Sequence, residues 1–239
     1  MDLKTFDLGL SDYESSLKFQ KEIFNKVRSK LLPSSLIINR HNPVITLGRL
    51  TDKNNILAGK ELLDNKNIRV LQTERGGDVT YHGPGQLTVY PIFDLKYLTK
   101  DVHLFIRFLE QAVIDFLSGM DVSAHRINGR SGVWVENKKI ASVGISIRQW
   151  ITFHGISLNI TRHDLDNFKL IRPCGMDVEM TCLESELNRA ISVDELKDGF
   201  VEQFKLTLES FYCSPTGTVP AEAIDFCLRG LSLYNQEAT

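Results

Sequence analysis

Several features that mark common protein classes are missing from this sequence of 239 residues. No apolar run approaches the roughly eighteen residues that a membrane-spanning helix needs, and the N-terminal segment lacks the charged-then-apolar pattern of an export signal. The chain carries 28 basic and 30 acidic side chains, without the basic excess of a nucleic-acid-binding protein. We therefore expect a cytoplasmic protein that binds neither membranes nor nucleic acids.

Cysteine is scarce, and its spacing argues against two frequent uses. The four cysteines form no C-x-x-C pair, and no histidine stands at metal-ligand spacing from them, so we expect neither a metal site nor disulfides. Cys213 and Cys227 have apolar neighbours that indicate packing, and Cys182 is uninformative. Cys174 lies between a proline and a glycine, on a constrained turn that could present its sulfur. The sequence alone does not separate a nucleophile from an inert turn cysteine.

The most unusual segment present is RGGDVTYHGPGQ, from Arg75 to Gln86. Both G-x-x-x-x-G-K-[ST] and G-x-G-x-x-G are absent, so it is not a nucleotide phosphate loop. Its glycines allow the main chain to approach a ligand closely, and Asp78, Tyr81 and His82 add polar and aromatic chemistry. By composition, a ligand-binding loop and a plain glycine-rich hairpin whose Tyr81 and His82 cap the core both remain open.

The hydrophobic pattern predicts an α/β (α+β) protein, with a mixed β-sheet core flanked by helices. We expect a single catalytic domain over residues 1–212 and a short C-terminal extension over 213–239. Three helices are predicted: from the capping box Ser11–Glu14 to about Lys30, from Leu104 to about Leu117 before Gly119, and from the capping box Ser192–Glu195 onward. Strands are predicted in SSLIINRHNPVITLGR, IRVLQT, QLTVYPIFDL, GVWVENKKIASVGISIR (a hairpin) and FHGISLNI.

A nucleophilic cysteine needs a base or a cation, and Lys138 and Lys139 are candidates. Adjacent residues on a strand point to opposite faces, so if one lysine is solvated the other points inward. An inward lysine would be partly desolvated, which lowers its pKa, and as a cation it would lower the pKa of a nearby cysteine. The alternative is a solvated hairpin tip. His154 likewise either serves a substrate or is a satisfied core histidine.

Taken in order, these motifs resemble the lipoyl(octanoyl) transferase family, which belongs to the wider lipoate/biotin protein ligase fold. The resemblance extends to about residue 210 and rests on HNPVITLGR, RGGDVTYHGPGQ, YPIFDL, GVWVENKKIASVG, FHGISLNI and IRPCG. The family's lysine is followed by an aliphatic residue, a small residue and, at the fifth place, glycine. That pattern selects Lys139 over Lys138.

The resemblance implies a role for each matching residue. Cys174 would be the nucleophile and Lys139 the base. Substrate binding would fall to Arg75, Gly76, Gly77, Asp78, Val79, Thr80, Tyr81, His82, Ser142, Val143, Gly144, His154, Gly155, Ile156 and Ser157. Ser157 departs from the family, where alanine is expected, and its hydroxyl could alter the preferred acyl chain length.

The reaction that the resemblance implies is transfer of an octanoyl group from octanoyl-acyl carrier protein, through a Cys174 thioester, to a lysine of a lipoyl domain. The acceptors would be the E2 subunits of 2-oxoacid dehydrogenases and the H protein of glycine cleavage. No cofactor is expected, because the substrate arrives on the phosphopantetheine arm of the carrier, and we expect a monomer. Between residues 125 and 148 there is one acidic residue, Glu136, and there are five basic residues: Arg126, Arg130, Lys138, Lys139 and Arg148. This basic excess could steer acidic partners to the site, or it could be scattered surface charge.

Three other functions stay open at this point. An ATP-dependent lipoate or biotin ligase has the same fold and needs the lysine but no cysteine nucleophile. A lipoyl amidotransferase, which moves lipoyl groups between proteins, is a closer variant that the sequence separates poorly. A non-catalytic lipoyl-domain-binding scaffold would not need Arg75, His82, Lys139 and Cys174 together.

Overall fold

The computed structural model describes residues 3–173 and 178–213. Within them the chain forms ten strands and five α-helices. The strands are β1 Lys4–Ser11, β2 Ser35–His41, β3 Val44–Leu47, β4 Arg69–Gln72, β5 Val79–His82, β6 Gln86–Ile92, β7 His125–Ile127, β8 Arg130–Val135, β9 Lys138–Arg148 and β10 Ile151–Asn159. The helices are α1 Tyr13–Arg28, α2 Lys60–Asn65, α3 Val102–Ser118, α4 Leu183–Glu186 and α5 Val193–Cys213, with 3₁₀ turns at Lys53–Asn55 and Arg162–Leu170.

The strands form two sheets. The larger has the order β1-β2-β6-β10-β9-β8-β7 and the smaller the order β4-β3-β5. Each sheet contains one parallel pair, β1 with β2 and β3 with β4, among antiparallel ones. The predicted mixed-sheet α/β class is therefore confirmed.

Helices cover both faces of the large sheet, because its central strands are apolar on both sides. Leu36 of β2 packs in the main core with α3 and α5, which contribute Phe108 and Phe204. Ile37, the next residue, packs on the opposite face with Phe24 of α1. Alternate residues of one strand thus enter different cores, as the two-residue period of a strand requires.

The small sheet has a core of its own, in which strands β3 and β5 pack against the 3₁₀ turn Arg162–Leu170. Tyr81 and Phe168 meet there with their rings 5.6 Å apart. Strand β5 lies inside the glycine-rich segment. The segment is therefore a short strand with one glycine-containing turn before it and one after it. The strands predicted on either side of it, in IRVLQT and QLTVYPIFDL, are present, but the prediction that a simple loop connects them is wrong. The predicted pair in 34–49 is also divided, since β2 joins the large sheet and β3 the small one.

The first helix is where predicted, but its predicted capping box is wrong. Ser11 ends β1, and its hydroxyl donates to Asn39 Oδ1 at 2.9 Å. Asp12 occupies the N-cap position without a side-chain capping bond. Pairing with β2 extends the N-terminal residues as a strand, which the sequence analysis missed. The last helix does use its predicted cap, because Ser192 Oγ accepts from the Asp194 N–H at 3.2 Å.

The remaining predicted elements are present, including the turn of the β8–β9 hairpin, where Glu136 has φ 51°. No helix in the described ranges is long and apolar enough to cross a membrane. The division at residue 212 stays a prediction, since α5 is described to Cys213 and residues 214–239, with Cys227, lie outside the described part.

Candidate active site

A cavity that opens to solvent lies where the small sheet meets strands β9 and β10 of the large one. Three groups of predicted site residues line it together. They are Arg75, Gly76, Gly77, Asp78, Val79, Thr80 and His82 from the glycine-rich segment; Lys139, Ser142, Val143 and Gly144 from β9; and His154, Gly155, Ile156 and Ser157 from β10. The cavity thus unites segments that are far apart in the sequence.

Tyr81 does not line this cavity. Side chains alternate along β5, and Tyr81 points into the core of the small sheet, where its hydroxyl donates to Asp164 Oδ1 at 2.8 Å. Asp164 Oδ2 also accepts from the Gly85 N–H. A Cβ on Gly83 would lie 2.4 Å from Asp164 Oδ1, so glycine is required for this close approach. Tyr81 and Asp164 therefore hold the glycine-rich segment in place from behind.

Arg75 is buried and connects the glycine-rich segment to strand β3. Its Nε donates to Thr46 Oγ1 at 3.0 Å, and its Nη2 donates to the Thr46 carbonyl oxygen. Its Nη1 donates to the Gly76 carbonyl oxygen at 3.0 Å. Gly48 makes this arrangement possible, because a Cβ there would lie 2.2 Å from the Gly77 oxygen and 2.9 Å from Arg75 Nη1. The sequence analysis assigned no role to Gly48.

Lys139 is buried and lines the cavity, with 6% of its surface exposed. Its side chain runs over Gly132, where a Cβ would lie 2.5 Å from Lys139 Cε, and its Nζ is 5.6 Å from the centre of the Trp134 ring. The Gly132 N–H donates to Glu110 Oε1 at 2.8 Å. Gly132, at φ 109°, therefore provides a slot that only a residue without a Cβ can provide.

Lys138 points the other way. Its side chain is 43% exposed and pairs with Glu179 at 3.2 Å. Glu179 raises the pKa of Lys138, through a hydrogen bond and by its negative charge. The two adjacent lysines thus occupy opposite faces of β9, one solvated and one in the cavity.

The described residues before and after Cys174 lie at this cavity and beside Lys139. Residues 174–177 lie outside the described part of the chain, and with them Cys174. Pro173, immediately before, lines the cavity. Just after, the Glu179 carbonyl oxygen accepts from the Lys139 N–H at 2.8 Å, and the Thr181 N–H donates to the Lys139 carbonyl oxygen at 3.0 Å. The described chain therefore reaches the cavity wall one residue before Cys174 and the main chain of Lys139 five residues after it.

A cluster of aromatic and imidazole rings completes the wall of the cavity. Tyr13, His82, Tyr90 and His154 line it, and His41 joins the cluster by packing against Tyr13, His82 and Tyr90. The Tyr13 ring stacks on His82 at 5.9 Å, and its hydroxyl is hydrogen-bonded to His154 Nδ1 at 3.3 Å. The His41 Nε2 and Tyr90 hydroxyl atoms are 2.5 Å apart. The sequence analysis missed Tyr13, His41 and Tyr90 as site residues. Tyr90 could have been found from its alternation with Thr88 along β6, since both line the cavity.

Burial holds the three histidines of this cluster neutral. It lowers the pKa of His41 to about 4 and that of His154 to about 3, and it lowers the pKa of His82 well below its usual value. Burial also raises the pKa of Tyr13 to about 12 and raises that of Tyr90 well above its usual value. At neutral pH the cluster therefore offers uncharged donors and acceptors, suited to a ligand without charge.

His154 combines two unusual features. Its φ is 58°, a left-handed conformation that is costly outside glycine, and its N–H donates to Gln20 Oε1 at 2.9 Å. Within the described residues, its buried Nε2 has no hydrogen-bond partner. His154 is therefore anchored by its neighbours, as a core histidine would be, and it also lines the cavity, as a substrate-binding residue would.

The hydroxyl of Ser157 is engaged by the protein. It donates to Gln86 Oε1 at 2.7 Å, and Gln86 Nε2 donates to Asn159 Oδ1 at 3.0 Å. The serine therefore adds no unpaired polar group to the cavity.

The basic patch predicted around β8 and β9 is reduced by internal pairing. Arg126 Nε donates to the buried carboxylate of Glu110 at 3.0 Å, Lys138 pairs with Glu179, and Lys139 is buried. Arg130 and Arg148 stay exposed. In the described ranges, no group of histidine, cysteine and acidic side chains is arranged to hold a metal ion.

Residues 12–205 match the family model of the lipoyl protein ligase A/B catalytic domain. The octanoyltransferase of Solibacter usitatus is 42% identical over 197 residues, covering 82% of this chain and 89% of the relative, and that of Geobacter sp. strain M21 is 38% identical over 200 residues, covering 83% and 94%.

Solved structures with the same fold are more distant in sequence. Lipoate-protein ligase A bound with ATP superposes with a TM-score of 0.72 at 15% identity, covering 96% of this chain and 94% of that one. A bi-partite lipoate protein ligase of Thermoplasma acidophilum, described with its E2 lipoyl domain, superposes with a TM-score of 0.67 at 15% identity, covering 97% and 92%.

Proposed function

The chain belongs to the lipoyl protein ligase A/B catalytic-domain family and is an acyltransferase, and on that premise we propose that it transfers octanoyl groups from octanoyl-acyl carrier protein to lysines of lipoyl domains. The observation that carries the proposal is the buried Lys139 in a cavity bordered by Pro173, the residue before Cys174. The octanoyltransferases that share 38% to 42% of their residues with this chain support the same reaction.

In the first half-reaction, Cys174 attacks the thioester carbonyl carbon. Lys139 takes the thiol proton, and the thiolate forms a new C–S bond while a main-chain N–H stabilises the oxyanion. The bond to the phosphopantetheine sulfur breaks, and that sulfur receives the proton back from Lys139. The products are an octanoyl-Cys174 thioester and a free carrier thiol.

In the second half-reaction, the acceptor lysine replaces the sulfur. A lysine is almost fully protonated at neutral pH, so it must lose a proton before it attacks. Lys139 accepts that proton, the amine nitrogen bonds to the carbonyl carbon, and the bond to Cys174 breaks. The second amine proton passes to the departing sulfur, and Lys139 returns its proton to solvent.

The acyl group is already activated as a thioester, whose cleavage drives amide formation, so the proposed reaction needs neither ATP nor a metal. The acyl chain would occupy the cavity lined by the neutral rings, with the phosphopantetheine arm at the mouth. We propose the E2 subunits of 2-oxoacid dehydrogenases and the glycine cleavage H protein as acceptors, with a monomer acting in the cytoplasm.

The deciding experiment is the intact mass of the protein after incubation with octanoyl-acyl carrier protein without ATP. The wild type should gain one octanoyl group and pass it to an added lipoyl domain. Cys174→Ala should gain none, while its thermal unfolding midpoint stays close to that of the wild type.

Two other family activities give different results in this assay. Ligation of free octanoate that requires ATP and survives Cys174→Ser would identify a ligase. Octanoyl transfer from one lipoyl-bearing protein to another, without transfer from the carrier protein, would identify an amidotransferase. Either result would contradict the proposal.

A further inference from the structure

We propose that Asp78 binds the ε-ammonium group of the acceptor lysine as it enters the cavity. This inference rests on the octanoyl transfer proposed above and assigns the recognition of its second substrate. Among the described residues that line the cavity, Asp78 is the only acid, whereas Arg75 and Lys139 are both basic. A lysine arriving as a cation would meet the positive Arg75 guanidinium, and Asp78 offsets that repulsion.

The two oxygens of the Asp78 carboxylate have different surroundings. Oδ2 accepts from Asn55 Nδ2 at 2.6 Å. Oδ1 is buried and has no hydrogen-bond partner within the described residues. A buried carboxylate oxygen without a donor is costly, because it has lost water and gained nothing in return. An ammonium group supplies both the missing donor and the opposite charge.

The main chain holds Asp78 in a fixed position. Gly77, before it, adopts φ 82°, and the Asp78 carbonyl oxygen accepts from the Gly48 N–H at 3.3 Å. Asn55, which holds Oδ2, is itself buried at the end of the 3₁₀ turn Lys53–Asn55. A carboxylate fixed through one oxygen can present the other in one direction, which suits the capture of a single ammonium group.

In the proposed sequence, Asp78 acts before the chemical step. Oδ1 accepts an N–H from the incoming ammonium while the cavity holds the acyl thioester. Lys139 then removes one proton, and the neutral amine leaves Asp78 to form the C–N bond as the C–S bond breaks. Asp78 is therefore a binding residue for the acceptor, and a cationic amine should depend on it more than a neutral nucleophile does.

The test compares two nucleophiles on the preformed acyl-enzyme of the wild type and of Asp78→Asn. Asparagine keeps the size of the side chain and loses the charge. The variant should slow transfer to the lipoyl-domain lysine by about tenfold or more, as expected for the loss of a hydrogen bond between charged groups. Hydroxylamine is uncharged at neutral pH, so its reaction with the acyl-enzyme should slow by less than about threefold.

Two variants serve as controls. Asp64→Asn removes the same charge from an exposed position outside this cavity, and it should transfer octanoyl groups like the wild type. Asp78→Glu keeps the negative charge and should restore most of the rate with lysine. Thermal unfolding of each variant checks that it is folded.

Equal slowing with both nucleophiles would overturn the inference, because it would indicate a structural role for Asp78. Unchanged transfer to lysine would overturn it as well. If Asp78→Asn does not fold, the effect of added salt can be measured on the wild-type acyl-enzyme. Salt should slow its reaction with n-butylamine, a cation, more than its reaction with hydroxylamine. Equal slowing of the two reactions would contradict the inference. A wild type that gains no octanoyl group would instead contradict the proposed function, and this inference with it.

Discussion

The cavity has two contrasting sets of residues. On one side Lys139 lies in a slot above Gly132, and its position depends on the absence of a single Cβ atom. On the other side, the ring cluster of Tyr13, His41, His82, Tyr90 and His154 is held by several mutual contacts. The lysine side has one basic amine, whereas the rings of the other side are neutral at neutral pH.

Under the proposed function, the two sides have different tasks. Proton transfer needs one group at one position, so we expect the lysine side to be intolerant of small displacements. Holding an apolar chain needs shape and the absence of charge, so we expect the ring cluster to tolerate the loss of one hydrogen bond. Four predictions test this contrast, from the largest expected effect to the smallest.

Replacing Lys139 by alanine should have the largest effect. Both half-reactions should slow by about 10²- to 10⁴-fold, as is typical for loss of a general base. Lys138→Ala is the matched variant: it loses an exposed ion pair and should change kcat by less than about threefold. Single-turnover acylation and transfer rates measure both. Near-normal rates for Lys139→Ala at neutral pH would reject it as the base.

Gly132→Ala should have the next largest effect. Its methyl group would lie 2.4 Å from the Ala141 carbonyl oxygen and 2.5 Å from Lys139 Cε, and the residue adopts φ 109°, so both the β8–β9 pairing and the lysine must shift. Displacement by about 1 Å can cost about a hundredfold in rate. Gly199→Ala is the control, because a Cβ there makes an ordinary contact at 3.8 Å with Phe116 and should stabilise α5 by about 0.5–1 kcal/mol. Equal activity of the two variants would contradict the claim that Lys139 needs a residue without a Cβ at position 132.

The ring cluster should make stability depend on pH. Unfolded histidines have a pKa near 6.5, whereas burial lowers the pKa of His41 to about 4 and that of His154 to about 3. Between these values the unfolded state binds more protons, so the free energy of unfolding should fall as pH drops below about 6.5. Each such histidine adds up to about 1.4 kcal/mol per pH unit.

Urea unfolding between pH 7.5 and 5 measures this slope, in a range above most carboxylate titration. Replacing the exposed His103 by glutamine should leave the slope unchanged. A free energy of unfolding that is flat between pH 6.5 and 5 would show that the buried histidines do not remain neutral.

Tyr90→Phe should have the smallest effect. It removes the hydroxyl that is hydrogen-bonded to His41 Nε2 and keeps the ring contacts. We expect a loss of about 1–2 kcal/mol in the free energy of unfolding, with acyl transfer slowed by less than about fivefold. Urea unfolding and the transfer assay measure the two effects. A loss of activity as large as that of Lys139→Ala would remove the contrast between the two sides.

The sequence could predict the parts of the site that depend on local period. The two-residue repeat of a strand states that Lys138 and Lys139 face opposite ways, and the family pattern selects Lys139. The glycines of residues 75–85 could be predicted for another reason, because main chain can approach a ligand closely where a residue lacks a Cβ. The mixed-sheet class follows from the order of helices and strands.

Other features depend on contacts between distant segments. Ser11 has the local pattern of a helix cap, yet pairing of β1 with β2 draws it into a strand. Tyr81 was expected in the cavity, but alternation along the short strand β5 turns it toward Asp164, which is 83 residues away. Tyr13 reaches the cavity from α1 and His41 reaches the ring cluster from β2, and no local pattern places them beside His82.

The main chain of Lys139 is bonded to residues that follow Cys174: its N–H donates to the Glu179 carbonyl oxygen, and its carbonyl oxygen accepts from the Thr181 N–H. These bonds involve peptide groups, so they are indifferent to the side chains present there. Exchanges of the exposed Glu179 side chain should therefore be well tolerated, while inserting or deleting one residue between Pro173 and Val178 should not be. At position 179 natural variation should be free in composition, whereas the number of residues between 173 and 179 should be constant.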